Sequence, residues 1–212
     1  TCQAGGLKVA QGGLRNLQTA SLAGLGTAHM AALTSAQVAA LSTGQVAALS
    51  TEQVAAIVTA NMAALSTAQI RALPDGSVTA LTTAQIVALN SAQVASLTTS
   101  QVVALDTAQV AAIETADFRA MTGTQVAVLS SAQTEALSAQ QVAAITTANI
   151  RVLTTEALSA LDSTQIAALT TAQANALTTA QVANLSTEQL QAIETADLAA
   201  MSAAQVVSMG AT

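Results

Sequence analysis

The chain has 212 residues, of which 52% are hydrophobic and 8% charged, and its formal net charge at pH 7 is −6. So few basic residues exclude a nucleic-acid binder and a basic membrane-surface helix, because both rely on Lys and Arg to meet phosphates. The longest strictly apolar run, from Val54 to Val58, has five residues, whereas a spanning helix needs about 20, so we expect no membrane insertion.

Residues 1–16 lie outside any repeat and contain two Gly-Gly pairs. This composition predicts an irregular lead-in or linker, in which Lys8 and Arg15 are solvated. Cys2 is the only cysteine, so no disulfide framework or cysteine metal site can form within the chain. A crosslink between chains and a free thiol both stay open for Cys2.

From residue 17 to residue 208 one eight-residue unit repeats 24 times without insertion or deletion. We label its positions a to h, with the consensus Leu-Thr-Thr-Ala-Gln-Val-Ala-Ala. Position a is Leu in 18 copies, Ile in four and Met in two, position e is Gln in 16 copies, and position f is mostly aliphatic. Residues 209–212 are predicted to be a tail or the start of a further repeat. Such an array is expected to grow coil by coil as a solenoid.

A single long helix does not fit this period. Eight residues advance an α-helix by about 800°, roughly 80° beyond two turns, so the Leu positions would spread around its whole surface. A coiled coil needs a seven-residue or eleven-residue hydrophobic repeat, which excludes it as well. A β-solenoid remains the alternative, although period-2 alternation is missing and Ala and Gln are poor strand formers.

A helix that restarts in every octad does fit. Position b is usually Ser, Thr, Asp or Asn, and Gln follows three residues later at position e, which is the capping-box spacing. Clear examples pair Ser42 with Gln45, Thr82 with Gln85, and Thr178 with Gln181. The sequence therefore predicts an all-α solenoid, or superhelix, of short capped helices, one per eight-residue repeat, each running roughly from c to h.

The helical period also predicts how these short helices pack. Positions a and f share one face and are expected to point inward, while the Ala residues of d and h form a nearly opposite face for an adjacent coil. Ordering eight residues costs roughly 8–16 kcal/mol, whereas burying one Leu and one Val returns only about 3–6 kcal/mol. No octad is therefore expected to fold without its neighbours.

Several octads depart from the consensus. Pro74 replaces the cap residue and predicts a local bend rather than a domain break. Asp117 and Asp197 replace Gln at position e, in two Ile-Glu-Thr-Ala-Asp octads that lie ten octads apart. Glu114 and Glu194 stand at the cap position of the same octads, where we expect them to cap helices rather than bind calcium, since most octads carry no acid.

No chemical site is predicted. His29, the only histidine, has no nearby Cys, His or carboxylate partner in sequence and is expected to be structural. The Ser and Thr columns at b and c are expected to be caps and solvated residues rather than an ice-binding or glycan-carrying surface. Arg71, Arg119 and Arg151 form no patch in sequence. We therefore predict no catalytic, cofactor-binding or metal residues and no enzyme activity.

The segment from Leu81 to Leu89, Leu-Thr-Thr-Ala-Gln-Ile-Val-Ala-Leu, resembles octapeptide tracts of very large secreted or surface proteins of bacteria. That resemblance implies an extracellular or cell-surface location and a structural or adhesive role. The segment from Leu49 to Ile57 also resembles the first helix of the repeats in transcription-activator-like effectors. The second helix and the base-reading residues of that family are missing, so no DNA-binding role follows.

These observations together predict a structural protein: an extracellular fibre, filament subunit or stalk built by end-to-end stacking of copies. The last full octad, Met201 to Ser208, is ordinary rather than a polar capping coil, so we expect another coil to follow it or another copy to stack there. The alternative is an adhesin-type binding module that recognises a surface ligand. The near absence of aromatic and Arg anchors weighs against this alternative.

Overall fold

The computed structural model describes residue 22 and residues 24–210, and all regular structure in that part of the chain is helical. Residues 24–210 contain 23 helices of four to six residues, residue 22 is also helical, and no residue of the described part is in a strand. The prediction of an all-α repeat solenoid is confirmed, and the β-solenoid alternative is wrong. The chain divides into two compact units, Thr1–Ala88 and Leu89–Thr212, which are described separately.

The helices of the first unit each occupy one octad. They are α1 (Thr27–Ala31), α2 (Ser35–Ala39), α3 (Thr43–Ala47), α4 (Thr51–Ala55), α5 (Thr59–Met62), α6 (Thr67–Ala72), α7 (Asp75–Val78) and α8 (Thr83–Val87). Pro74 precedes α7 as its N-cap residue, and α7 still begins at position c like its neighbours.

The second unit continues the same frame. Its helices are α9 (Ser91–Ser96), α10 (Thr99–Ala104), α11 (Thr107–Ala112), α12 (Thr115–Phe118), α13 (Gly123–Val126), α14 (Ser131–Glu135), α15 (Ala139–Ala144), α16 (Thr147–Ile150), α17 (Thr155–Ser159), α18 (Ser163–Ala167), α19 (Thr171–Ala176), α20 (Thr179–Ala183), α21 (Thr187–Ala192), α22 (Thr195–Ala200) and α23 (Ala203–Ser208).

Each helix begins at position c, as the capping pattern predicts, and ends at f, g or h. The residue at position b is extended, as at Thr98 with φ −73° and ψ 159°, and the chain is extended again at Leu105 with φ −62° and ψ 136°. No residue of the described part has a positive φ. The connections therefore need no glycine, and a uniform octad can repeat without special turn residues.

Helices that lie three apart in sequence contact each other within each unit, as α1 does with α4 and α19 with α22. Hydrogen bonds between more distant parts of the chain join residues 25 to 31 positions apart, for example Asn175 with Ala200, three octads on, and Gln53 with Leu22, four octads back. One circuit of the chain, which we call a coil, therefore takes between three and four octads.

The interior is formed by positions a, e and f. In the interior coils position f is almost fully enclosed, as at Val94, Val110 and Phe118, and position a is nearly as well buried. The prediction that Ala at d packs against an adjacent coil is wrong, because Ala84 and Ala108 are exposed, while position h is half-buried. Neighbouring coils instead approach on the e and f side of each short helix, which leaves d facing outward.

Some sequence predictions fall outside the described residues. These are the lead-in of residues 1–16 with Cys2, Lys8 and Arg15, and the last two residues, 211 and 212. Met209 and Gly210 form a turn after α23.

Candidate functional site

The most regular polar feature of the molecule is the column of buried side chains at position e. In octad 137–144 the main-chain N–H of Gln141 donates to Ser138 Oγ at 3.2 Å, and the N–H of Ser138 donates to Gln141 Oε1 at 2.8 Å. All 16 glutamines at position e form this reciprocal capping box. The predicted cap is thus confirmed, and it satisfies donors that a helix start leaves unpaired.

The other end of the same amide bonds to the preceding coil, which the sequence did not reveal. Gln141 Nε2 donates to the carbonyl oxygens of Val110 at 3.2 Å, Ala111 at 3.3 Å and Ile113 at 2.8 Å. These carbonyls stand at the C-terminal end of α11, where a helix has no partners of its own for its last carbonyls. One side chain therefore begins its own helix and closes another helix one coil earlier.

This inter-coil bond recurs throughout both units, and we call the set the glutamine ladder. In each case Nε2 donates to the position-a carbonyl 28 residues earlier, at 2.5 to 2.9 Å. It also donates to the position-f carbonyl 31 residues earlier. The members of the ladder are Gln53, Gln69, Gln85, Gln125, Gln133, Gln141, Gln165, Gln173, Gln181, Gln189 and Gln205.

Asparagine at position e keeps only part of this geometry. Asn61 Nδ2 donates to Leu33 O at 2.7 Å, and Asn149 Nδ2 donates to Met121 O at 2.8 Å, both 28 residues earlier. Neither asparagine forms the reciprocal capping box. The side chain is one methylene shorter than Gln, so it reaches across to the preceding coil but does not also reach back to its cap.

A serine at position c can contribute a second bond between coils. Ser35 Oγ donates to Asn61 Oδ1 at 2.6 Å, and Ser91 Oγ donates to Asp117 Oδ1 at 2.5 Å, both across 26 residues. The hydroxyl thus supplies the shorter side chain with a donor that the helix cap does not give it. This pairing is not visible in sequence, because it depends on which octads stack.

The acidic octads differ from their predicted behaviour. Glu114 and Glu194 stand at the N-cap positions of α12 and α22, but neither side chain makes a cap hydrogen bond, so the capping prediction is wrong for both. The carboxylates of Asp117 and Asp197 lie inside the column instead, 8% and 3% exposed. Each of these two carboxylates has only oxygen atoms at its end, whereas a glutamine of the ladder has an amide N–H donor there.

His29 takes the place of Gln in α1. It is exposed, and its Nδ1 accepts a hydrogen bond from the main-chain N–H of Gly26 at 3.2 Å. Because Gly26 has no side chain, only this half of the capping box forms. The histidine therefore contributes one hydrogen bond to the start of α1.

Two exposed glutamates at position d, Glu52 and Glu156, have a lowered pKa because they stand at helix N-termini. The main-chain N–H of Glu52 and then the Ser50 hydroxyl lower the pKa of the Glu52 carboxyl. The pKa of Glu156 is lowered in the same way, by its own main-chain N–H first and by the hydroxyls of Thr155 and Thr154. These carboxylates are favoured because the unpaired donors of a helix N-terminus attract negative charge.

The described residues also form a shallow surface depression. Arg119, Thr146 and Thr170 line a shallow depression of about 360 Å³ together with the buried Gln173. Over residues 22 and 24–210, no three His, Cys, Asp or Glu side chains stand close enough to hold a metal ion together. No helix in the part of the chain with assigned structure is long and apolar enough to span a membrane.

Comparison with known proteins identifies the repeat. The family model described as ALTTAQ repeat matches eight overlapping segments, namely residues 12–43, 31–59, 39–67, 54–91, 78–113, 110–147, 143–171 and 158–187. No curated protein matches the chain. The matched segments cover residues 12–187, well over half of the sequence, and include most of the octads that build the glutamine ladder. The chain therefore belongs to the ALTTAQ repeat family.

Proposed function

We propose that this tandem-repeat protein is a structural element: an extracellular fibre, filament subunit or stalk formed by end-to-end stacking of its coils. The observation that carries the proposal is the glutamine ladder. Each coil offers amide donors on one side and carbonyl acceptors with enclosed aliphatic side chains on the other. Such a head-to-tail interface extends a stack without an inherent limit, and filaments follow when it does not close into a ring.

The last described coil presents the acceptor side of this interface. At position f, Leu198 is 41% and Val206 is 45% exposed, whereas Val182 in the preceding coil is 1% exposed. No glutamine amide of the described chain reaches the carbonyls of Leu198 and Met201. A further coil, whether of the same chain or of a second copy, would enclose these side chains and donate to these carbonyls, as interior coils do.

The surface gives little support to ligand recognition. The chain has no Trp or Tyr, and its one phenylalanine, Phe118, is buried. Binding hot spots usually depend on exposed Trp, Tyr and Arg anchors. We therefore favour assembly over the alternative of an adhesin-type module, and the two differ in what the purified chain does in solution.

The test combines light scattering after size exclusion with electron microscopy over a range of concentrations. We expect concentration-dependent rods from the natural chain and their loss in a Leu198→Glu, Val206→Glu double variant, since buried unpaired charges are costly. Val103→Glu is the matched control, because Val103 is 60% exposed on the side of an interior coil. Monomers at every concentration, or rods that persist in the double variant, would refute assembly through this face.

The extracellular location is tested separately, by labelling intact cells of the source organism with an antibody to the repeat. Surface labelling without permeabilisation is the expected result. Labelling that appears only after permeabilisation would contradict it while leaving the assembly proposal intact.

A further inference from the structure

Asp197 is the position at which the column at e carries a buried carboxylate with no hydrogen-bond donor from the described chain. It lies in α22 and is 3% exposed. Asp117 holds the same position in the other Ile-Glu-Thr-Ala-Asp octad, and its Oδ1 accepts a hydrogen bond from Ser91 Oγ at 2.5 Å. Thr171 lies 26 positions before Asp197, the same separation as between Ser91 and Asp117. No hydrogen bond joins the side chains of Thr171 and Asp197.

The asparagines at position e show what surrounds a side chain of this length. In Asn149 the amide nitrogen Nδ2 takes the place of one Asp oxygen. It lies 2.8 Å from the carbonyl oxygen of Met121, 28 residues earlier. The other terminal atom faces position c of the preceding coil: a Cβ added at Gly123 would stand 3.3 Å from Asn149 Oδ1. Counting back 28 and 26 residues from Asp197 gives the carbonyl of Leu169 and the side chain of Thr171. Thr171 begins α19, which is in contact with α22, the helix that contains Asp197.

The charges at this position do not balance. An ionised carboxylate only accepts hydrogen bonds, and the carbonyl of Leu169 follows α18, whose C-terminal end carries partial negative charge. No basic side chain of the described residues forms an ion pair with Asp197. Burying a charge without a partner is costly, and a bound positive ion removes that cost. Among the described residues no fully enclosed side-chain oxygen lacks a partner, so the unpartnered carboxylate keeps a little solvent access, by which an ion can reach it.

We propose that Asp197, the hydroxyl of Thr171 and the carbonyl oxygen of Leu169 form a binding site for a calcium-like divalent cation between two coils. All the ligands are hard oxygens, which Ca²⁺ prefers, and water molecules complete its roughly six to eight ligands. With one carboxylate the affinity is low, on the order of 10⁻⁴–10⁻³ M, the range of extracellular calcium modules. Mg²⁺ binds less well, because it demands compact octahedral geometry and gives up water reluctantly.

The first measurement is equilibrium dialysis of the full chain against radioactive Ca²⁺. One ion per chain is expected, and no binding above a choline chloride background would overturn the proposal. In parallel, thermal unfolding is followed by circular dichroism in CaCl₂, in MgCl₂ and in choline chloride at equal ionic strength. Calcium is expected to raise the unfolding midpoint by about 2–4 °C, which corresponds to roughly 1 kcal/mol in a chain of this size.

Matched variants locate the effect. Asp197→Asn restores an amide donor without changing the shape of the side chain, so it is expected to fold well and to lose both the bound ion and the calcium shift. Asp117→Asn is the same change at a position that already has a serine donor, and Glu194→Gln removes an exposed charge at the start of α22. Both are expected to keep the calcium shift. A shift that survives Asp197→Asn, or that is lost in either control, would show that the ion binds elsewhere.

Discussion

Replacing Gln141 by Glu tests the ladder directly. The change keeps the shape of the side chain, and one carboxylate oxygen can still accept the N–H of Ser138. The other oxygen, however, replaces the amide that donates to the carbonyls of Val110 and Ile113. The variant therefore isolates the bonds between coils from the helix cap.

The expected loss in the free energy of unfolding follows from the hydrogen bonds that Gln141→Glu removes and the charge that it buries. Each hydrogen bond contributes about 1 kcal/mol net, and a buried charge that faces acceptors without a partner costs about 3–5 kcal/mol. We expect a loss of about 3–5 kcal/mol around this coil. The adjacent Gln140 is exposed at position d, so Gln140→Glu makes the same chemical change and is expected to stay within about 0.5 kcal/mol.

Hydrogen exchange of Gln141→Glu, measured peptide by peptide, is the appropriate assay, because it reports the local stability of the individual helices that the side chain joins. Faster exchange is expected in α11 and α15, which the glutamine joins. Equal exchange in the Gln140→Glu and Gln141→Glu variants would refute the role of the ladder.

The same variant has a defined pH dependence. Burial against carbonyl oxygens raises the pKa of the introduced carboxyl above its value in the unfolded chain. The destabilisation is therefore complete above the folded-state pKa and disappears as the pH falls below the unfolded-state pKa, where the neutral carboxyl can donate its proton to a carbonyl. A penalty that grew on acidification would contradict this reasoning.

Three further predictions concern the core, the surface acids and the folding unit. Phe118→Ala is expected to cost about 3–5 kcal/mol in chemical denaturation, because Phe118 is 1% exposed, whereas Val103→Ala on the surface should cost less than about 0.5 kcal/mol. The carboxyls of Glu52 and Glu156 are expected to titrate by NMR below the ordinary glutamate pKa, since main-chain N–H groups lower it in both; titration at or above the ordinary value would contradict those bonds. A two-octad peptide such as residues 129–144 is expected to lack helical circular dichroism, because its helices make their main contacts with helices three octads away; a fully helical peptide would refute this dependence.

The local part of the fold depends on the octad alone and was predictable. The spacing of Ser138 and Gln141 predicts a helix start, and the aliphatic residues at a and f predict the core, because both depend on residues within one helix. Capping by Glu194 was wrong because the Glu side chain is one methylene longer than that of Asp106, which does cap its helix, and it makes no bond to the start of α22.

The inter-coil part was not predictable from one octad. The ladder joins residues 28 and 31 positions apart, which are not multiples of eight, so no pattern within the repeat indicates them. The placement of Ala at d failed because a helical wheel describes a lone helix with two faces. In the folded chain the direction of the neighbouring coil decides which face is covered, and that direction follows from the number of octads per coil.

The ladder bonds always join the same octad positions, and this restricts the lengths by which the gene can grow or shrink. Every ladder bond runs from an e amide to an a and an f carbonyl, whichever octads supply them. Gain or loss of whole octads, as in unequal recombination between similar DNA segments, returns each amide to carbonyls of the same two letters. An indel of any other in-frame length places the downstream amides opposite the wrong letters for a full coil, so length variants of this family should differ by whole numbers of octad-coding segments.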